Sequence, residues 1–98
     1  MGILIETADV DYEVRTKAQD MTDEIVNQLV KKRKELNLSQ QDIADMAGMP
    51  RANISRMERK LHPPTVALLI RYARCLNMEL KIALVDKDSS KYKHIHMT

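Results

Sequence analysis

The apolar positions of this chain fall into two periods. From Asp11 onward, Val14, Ala18, Met21, Ile25 and Leu29 recur at steps of three and four, which marks one face of a helix. That helix either runs unbroken from about residue 11 to 36 or breaks near Asp20-Met21-Thr22, where Asp20 or Thr22 offers a cap. The break is the favoured reading. Ser39 then reads as an N-cap, with Asp42 acidic in the first turn, and opens a helix over 40–47 that Gly48 stops. Pro50 is tolerated in the first turn of a third helix running to about Lys60. His62-Pro63-Pro64 is a stiff connector, and Thr65 caps a fourth helix over 66–76 with Val66, Leu69, Ile70, Ala73 and Leu76 apolar. Asn77 is placed to stop it in a left-handed conformation.

After Asn77 the period drops to two. Met78, Leu80, Ile82 and Leu84 alternate with Glu79, Lys81, Ala83 and Val85, the mark of a half-buried strand. Ile3-Leu4-Ile5, at the other end, reads as a short strand or a loose arm. The predicted organisation is an acidic arm or helix over 1–20, a helical domain over 21–77, a strand over 78–86 and a flexible tail over 87–98.

Composition sharpens this. With no Phe, no Trp, three Tyr and seven Met, the core must be packed from Leu, Ile, Val, Ala and Met. The net charge of +2 hides an asymmetry: residues 1–30 carry two bases against seven acids, a net of −5, and residues 31–98 carry +7. A basic body suits a polyanion. The acidic front is either a solvated amphipathic helix packing on the core or a docking surface for a basic protein. Lys31-Lys32-Arg33-Lys34 is either a solvated helix face or a phosphate-contacting one. Cys75 is the single cysteine and is expected in the core, so no internal disulfide can form, which fits a cytoplasmic setting. The start has no basic n-region and no run spans a bilayer, and Glu6 stands where a myristoylation signal needs Ser or Thr. His94-x-His96 has metal-pair spacing without further ligands, so neither a metal nor a cofactor is expected. No nucleophile–base pair or Gly-rich phosphate loop is present, which argues against an enzyme.

Residues 40–59, QQDIADMAGMPRANISRMER, carry the candidate chemistry. Two helices crossing over a short turn need a small residue where their backbones approach, and Ala44 stands there. The turn needs positive φ, and Gly48 follows four residues later. Ile54 and Met57 anchor the second helix to Ile43 and Ala47, so Arg51, Ala52, Asn53, Ser55, Arg56 and Arg59 face outward. Arg pairs bidentately with guanine, Asn with adenine, and Ser with either, and such a helix fits the major groove.

The run LNLSQQDIADMAGMPRANISRMERKLHPPTVALLIRYARCLN resembles the phage repressor/Cro (Xre-like) helix-turn-helix family over about residues 25–76. The match rests on Leu38, Ser39-Gln40, Ile43-Ala44, Ala47-Gly48, Ile54-Ser55, Glu58 and the helix after Pro64. The resemblance implies a mainly α, lambda-repressor-like bundle. It implies Gln40 at a phosphate, Arg51, Ala52, Asn53 and Arg56 at the bases, Ser55 and Arg59 nearer the backbone or the rim, a phosphate contact for Lys60, and Gln41 and Pro50 within the same DNA-binding set. Lys60 departs from the Gly common there. A domain of this kind followed by MELKIALV is similar to HigA- and HipB-type antitoxins. That second resemblance implies strand pairing across a homodimer, a palindromic operator, and a basic RNA-cleaving or kinase toxin as partner. A free-standing repressor without a toxin is the alternative.

Overall fold

The computed structural model describes residues 2–87, with side chains from Asp11 onward. The flexible-tail expectation beyond Lys87 and the His94-x-His96 pair lie outside the described residues. Four helices follow in order: α1 (Gly2–Glu35), α2 (Gln40–Ala47), α3 (Arg51–Glu58) and α4 (Val66–Cys75).

α1 corrects two expectations. Ile3-Leu4-Ile5 lies within the helix rather than in a strand or loose arm. The helix also passes Asp20-Met21-Thr22 without a break. No Gly or Pro interrupts that stretch, and the polar side chains bond along the helix instead of capping a new one. Thr22 Oγ1 donates back to the Ala18 carbonyl (2.9 Å), and Gln19 Nε2 donates to Asp23 Oδ1 (2.7 Å) one turn on. Lys32, Arg33 and Lys34 fill the last turn, where the helix dipole favours cations.

The helix ends are set by local chemistry. Ser39 and Asp42 form a reciprocal capping box: Asp42 N–H donates to Ser39 Oγ (3.0 Å) and Ser39 N–H to Asp42 Oδ2 (2.8 Å). These bonds hold the Asp42 carboxyl below its ordinary range. Thr65 caps α4 by accepting from Leu68 N–H (3.1 Å). Asn37 (φ 58°), Gly48 (φ 68°) and Asn77 (φ 58°) turn left-handed just past their helices. In each case the following N–H reaches back five residues: Leu38 to Arg33, Met49 to Ala44, Met78 to Ala73. Pro50 sits at the N-cap of α3, one position ahead of its first turn, and α3 ends at Glu58 rather than near Lys60. Lys60 takes φ 59°, the left-handed position where glycine was the residue to expect.

At Gly48 an added Cβ would meet nothing within 4 Å, so glycine serves the backbone angle and not a close contact. Gly48→Ala is therefore expected to destabilise by about 1–2 kcal/mol, the left-handed penalty of an L residue. Lys60→Gly relieves the same penalty by up to about 1 kcal/mol but gives up the Lys60 Nζ–Asn27 Oδ1 bond, so a smaller net gain is expected. Urea unfolding of the two variants beside the parent protein checks both signs.

The core joins all four helices through Val26, Leu29, Ile43, Ala44, Ile54, Met57, Leu69, Tyr72, Ala73 and Leu76. Ala44 is 1% exposed, as the close crossing of α2 and α3 requires. Tyr72 is wholly buried, so the core has one aromatic residue that an aliphatic packing scheme omits. The predicted α1 stripe is only half covered: Leu29 is buried and Ile25 half-buried, whereas Val14 and Met21 are 60% and 52% exposed. The buried face is turned towards Val26, Leu29 and Arg33. On α4, Val66 and Ile70 also lie open. Cys75 is half-buried against the core.

The single chain shows no strand at the predicted place: among the described residues, 78–86 have no regular secondary structure. A strand needs a paired edge, and no other extended segment lies in the described chain to supply one. The period of two still shows in burial. Met78 and Leu80 pack on the core, and beyond them Ile82 and Leu84 point into solvent, Leu84 at 99% exposure.

Candidate nucleic-acid interface

α2 and α3 cross over the turn Gly48-Met49-Pro50, with Ile43 and Ala44 on one side and Ile54 and Met57 on the other, all buried. Burying Ile54 and Met57 fixes the rotation of α3 and turns its other side to solvent. Arg51, Ala52, Arg56 and Arg59 are exposed, and Asn53 and Ser55 are partly so. Arg56 Nη2 donates to Asn53 Oδ1 (2.8 Å), so these two side chains are pre-oriented one turn apart. Beside them runs a shallow crevice formed with His62, Pro63, Pro64 and Leu68. Gln41 is exposed at the start of α2 and donates to Asp45 Oδ1 (2.8 Å).

The hub behind this face was not expected. Glu58, at the end of α3, gathers donors from every other helix. Arg33 of α1 meets it with two bonds, Nε to Oε2 (2.9 Å) and Nη2 to Oε1 (3.0 Å). Tyr72 of α4 donates its hydroxyl to Oε2 (2.6 Å), and Gln40 of α2 donates Nε2 to Oε1 (3.0 Å). Arg33 also donates Nη1 to the Leu38 carbonyl (2.7 Å), tying in the α1–α2 turn. The basic run 31–34 thus splits: Arg33 is 8% exposed and structural, while Lys31 and Lys34 face solvent. The sequence held a signal for this. Arg33 falls four residues after Leu29 on the buried face, and a charge on an apolar face calls for an opposite charge across the core.

Gln40 spends one amide proton on Glu58, and its second remains for another acceptor. Lys60 is half-buried, and its Nζ bonds Asn27 Oδ1 of α1, while its carbonyl accepts from Gln19 Nε2 (3.3 Å). α1 therefore grips the end of α3 from behind. Arg71 does the same for α2, donating Nη2 to the Ala47 carbonyl at its C-terminus.

Burial pushes the Glu58 carboxyl up, but the hydrogen bonds from Arg33, Tyr72 and Gln40 and the Arg33 charge outweigh it, so its pKa lies below the ordinary 4.5. Burial, then the bond to Glu58, raises Tyr72 well above its ordinary 10.0. The signs set the pH response. Glu58 contributes stability that is intact above 4.5 and lost as pH falls through its folded pKa. Tyr72 contributes stability that is full below 10.0 and lost as pH rises past it. Urea midpoints measured across pH should form a plateau falling at both ends, with Asp42 adding to the acid limb. Tyr72→Phe should flatten the alkaline fall.

Among the described residues no cluster of three or more His, Cys, Asp or Glu could hold a metal, and no helix is long and apolar enough to cross a membrane. No solved structure matches the chain. A protein of Methanothermobacter thermautotrophicus, described as an uncharacterized HTH-type transcriptional regulator, is 36% identical over 61 residues, spanning 60% of this chain and 88% of that protein. The helix-turn-helix family HTH_3 matches residues 29–82, a span that holds α2, the turn at Gly48, α3, α4 and the Arg33–Glu58 pair. With that match added to the two short helices joined by the turn at Gly48 and the exposed polar face of α3, the chain belongs to the helix-turn-helix family of DNA-binding transcription regulators.

Proposed function

We propose that this protein is a sequence-specific DNA-binding repressor that acts as a homodimer on a palindromic operator. The observation that carries the reading is the exposed, cation-bearing face of α3, held at a fixed rotation by Ile54, Met57 and the Glu58 hub. α3 enters the major groove with Arg51, Ala52, Asn53 and Arg56 at base edges. Pro50, Ser55 and Arg59 lie along the rim. Gln40, with its spare amide proton, Gln41 and Lys60 meet phosphates at the ends of α2 and α3. Pairing of residues 78–86 with their copy across a two-fold axis supplies the missing strand partner and sets the two α3 helices about one DNA turn, roughly 34 Å, apart. Bound protein blocks polymerase. Selection from random duplex DNA, followed by gel shifts at two salt concentrations, tests this. An inverted repeat with half-sites one turn apart is the expected product; recovery of no preferred sequence overturns the reading.

A finer reading makes the protein the antitoxin of a type II pair that represses its own operon. Its support is the net −5 charge of residues 1–30, which a basic toxin would complement. Native mass spectrometry of the complex drawn from its host separates the two. A second small basic chain in fixed ratio identifies an antitoxin, and a homodimer alone leaves a free-standing repressor.

A further inference from the structure

The outer half of α1 leaves an apolar line uncovered. Val14, Met21 and Ile25 fall within a narrow angle on the helix, with Ala18 beside them. Val14 and Met21 are 60% and 52% exposed, and Ile25 reaches the groove in which Met78–Lys81 lies against α1 and α4. The line is therefore continuous with the place where the chain leaves the core. Lys60, just past the end of α3, bonds another flank of α1 through Gln19 and Asn27, so covering this line leaves α3 free for DNA.

We propose that this line is covered by residues Ile82–Lys87 of a second copy of the chain. The inference rests on the dimer reading above and gives it a second contact. Three features select that occupant. First, the segment offers what the line lacks: Ile82 and Leu84 continue the face begun by Met78 and Leu80, yet are 64% and 99% exposed in their own chain. Second, the lengths match. Val14 to Ile25 spans about 16 Å of helix, and Ile82–Lys87 in extended form spans roughly 17 Å. Third, the charges match. Glu13, Asp20 and Glu24 outnumber Lys17 along one edge of the line, and Lys81 and Lys87 outnumber Asp86 around the apolar run. Two arms laid on each other would instead oppose like charges, because residues 11–24 carry five carboxylates and only two bases. In an antiparallel pairing of the 78–86 segments, each chain crosses the two-fold axis after Lys81 and reaches the partner beside its Ile25, so the contact is made twice.

The test starts from Cys75→Ser, to remove the native thiol. Met21→Cys and Leu84→Cys are made in separate chains and co-expressed, so that no bond between these two positions can form within one chain. Mild oxidation should yield a covalent dimer whose bond, mapped by mass spectrometry, joins positions 21 and 84. Bonding of 84 to 84 alone overturns the proposal, since the segments then meet without reaching the arm. Sedimentation gives the independent readout. Met21→Asp, at a solvent-facing position that leaves the core intact, should raise the dimer dissociation constant at least about tenfold. A parent protein that sediments as a monomer overturns the dimer reading and this one together. A parent dimer indifferent to Met21→Asp, or a foreign basic chain crosslinked to position 21, overturns this one and leaves the DNA-binding reading standing.

Discussion

Glu58→Ala is expected to lower the unfolding free energy by about 3–5 kcal/mol, a large share of the roughly 5–15 kcal/mol that holds a domain together. The magnitude comes from what remains behind rather than from the bond removed. Without the carboxylate, the Arg33 guanidinium, at 8% exposure, keeps its charge with only the Leu38 carbonyl for company. The Tyr72 hydroxyl and the Gln40 amide lose their acceptor as well. Each orphaned donor carries a desolvation penalty. At about 4–8 °C per kcal/mol for a chain of this size, the thermal midpoint should fall by well over ten degrees. Replacing the whole hub is a different experiment. Arg33→Met with Glu58→Leu and Tyr72→Phe removes donors and acceptor together, and should recover most of the loss, because a well-packed apolar substitute for a buried ion pair is often neutral or better. The comparison is made by urea unfolding, checking that the slope is unchanged between variants. A loss under about 1 kcal/mol for Glu58→Ala, within the range of an exposed pair, would mean that the hub is solvated in solution.

The second large effect concerns DNA. Arg51→Ala and Arg56→Ala should each weaken binding to the selected operator by about 1–3 kcal/mol, or roughly five- to 150-fold. The loss should fall on particular base pairs, with binding to unrelated duplex almost unchanged. Lys31→Ala is the control for a different role. If it touches phosphate, affinity drops alike for all sequences and the salt slope flattens by about one unit. The Arg56–Asn53 contact adds a finer expectation. Removing Asn53 frees the guanidinium from its orienting acceptor, so the effects of Asn53→Ala and Arg56→Ala should not add, and a double-mutant cycle on operator affinity measures the coupling. Equal losses on operator and random DNA for Arg51→Ala would assign that residue to phosphate instead.

These two predictions draw on different levels of the molecule. Which side of α3 faces outward was legible in the sequence, because its cues are local. Ser39 and Thr65 as caps, Gly48 and Asn77 as left-handed stops, and Ile54 and Met57 as anchors each act through neighbours a few residues away. The outward set from Arg51 to Arg59 already follows from those anchors, and the Glu58 hub holds the same rotation. The family resemblance rested on the same local residues.

The hub, the unbroken α1 and the fate of the last segment were decided by tertiary structure. Arg33 sits in a run of four bases that composition alone assigns to water, and only the arrival of Glu58, 25 residues on, makes its burial favourable. Tyr72 is one apolar residue among several until its hydroxyl meets that same carboxylate. α1 passes through Asp20-Met21-Thr22 with Gln19 and Asn27, on either side of it, both bonded to Lys60, a tertiary tie that cap propensities do not show. The alternation from Met78 to Val85 states which side chains share a face. Whether that face becomes a strand depends on a partner edge, because a backbone hydrogen bond in a sheet needs two chains or two segments, and one stretch of sequence supplies only half of each bond.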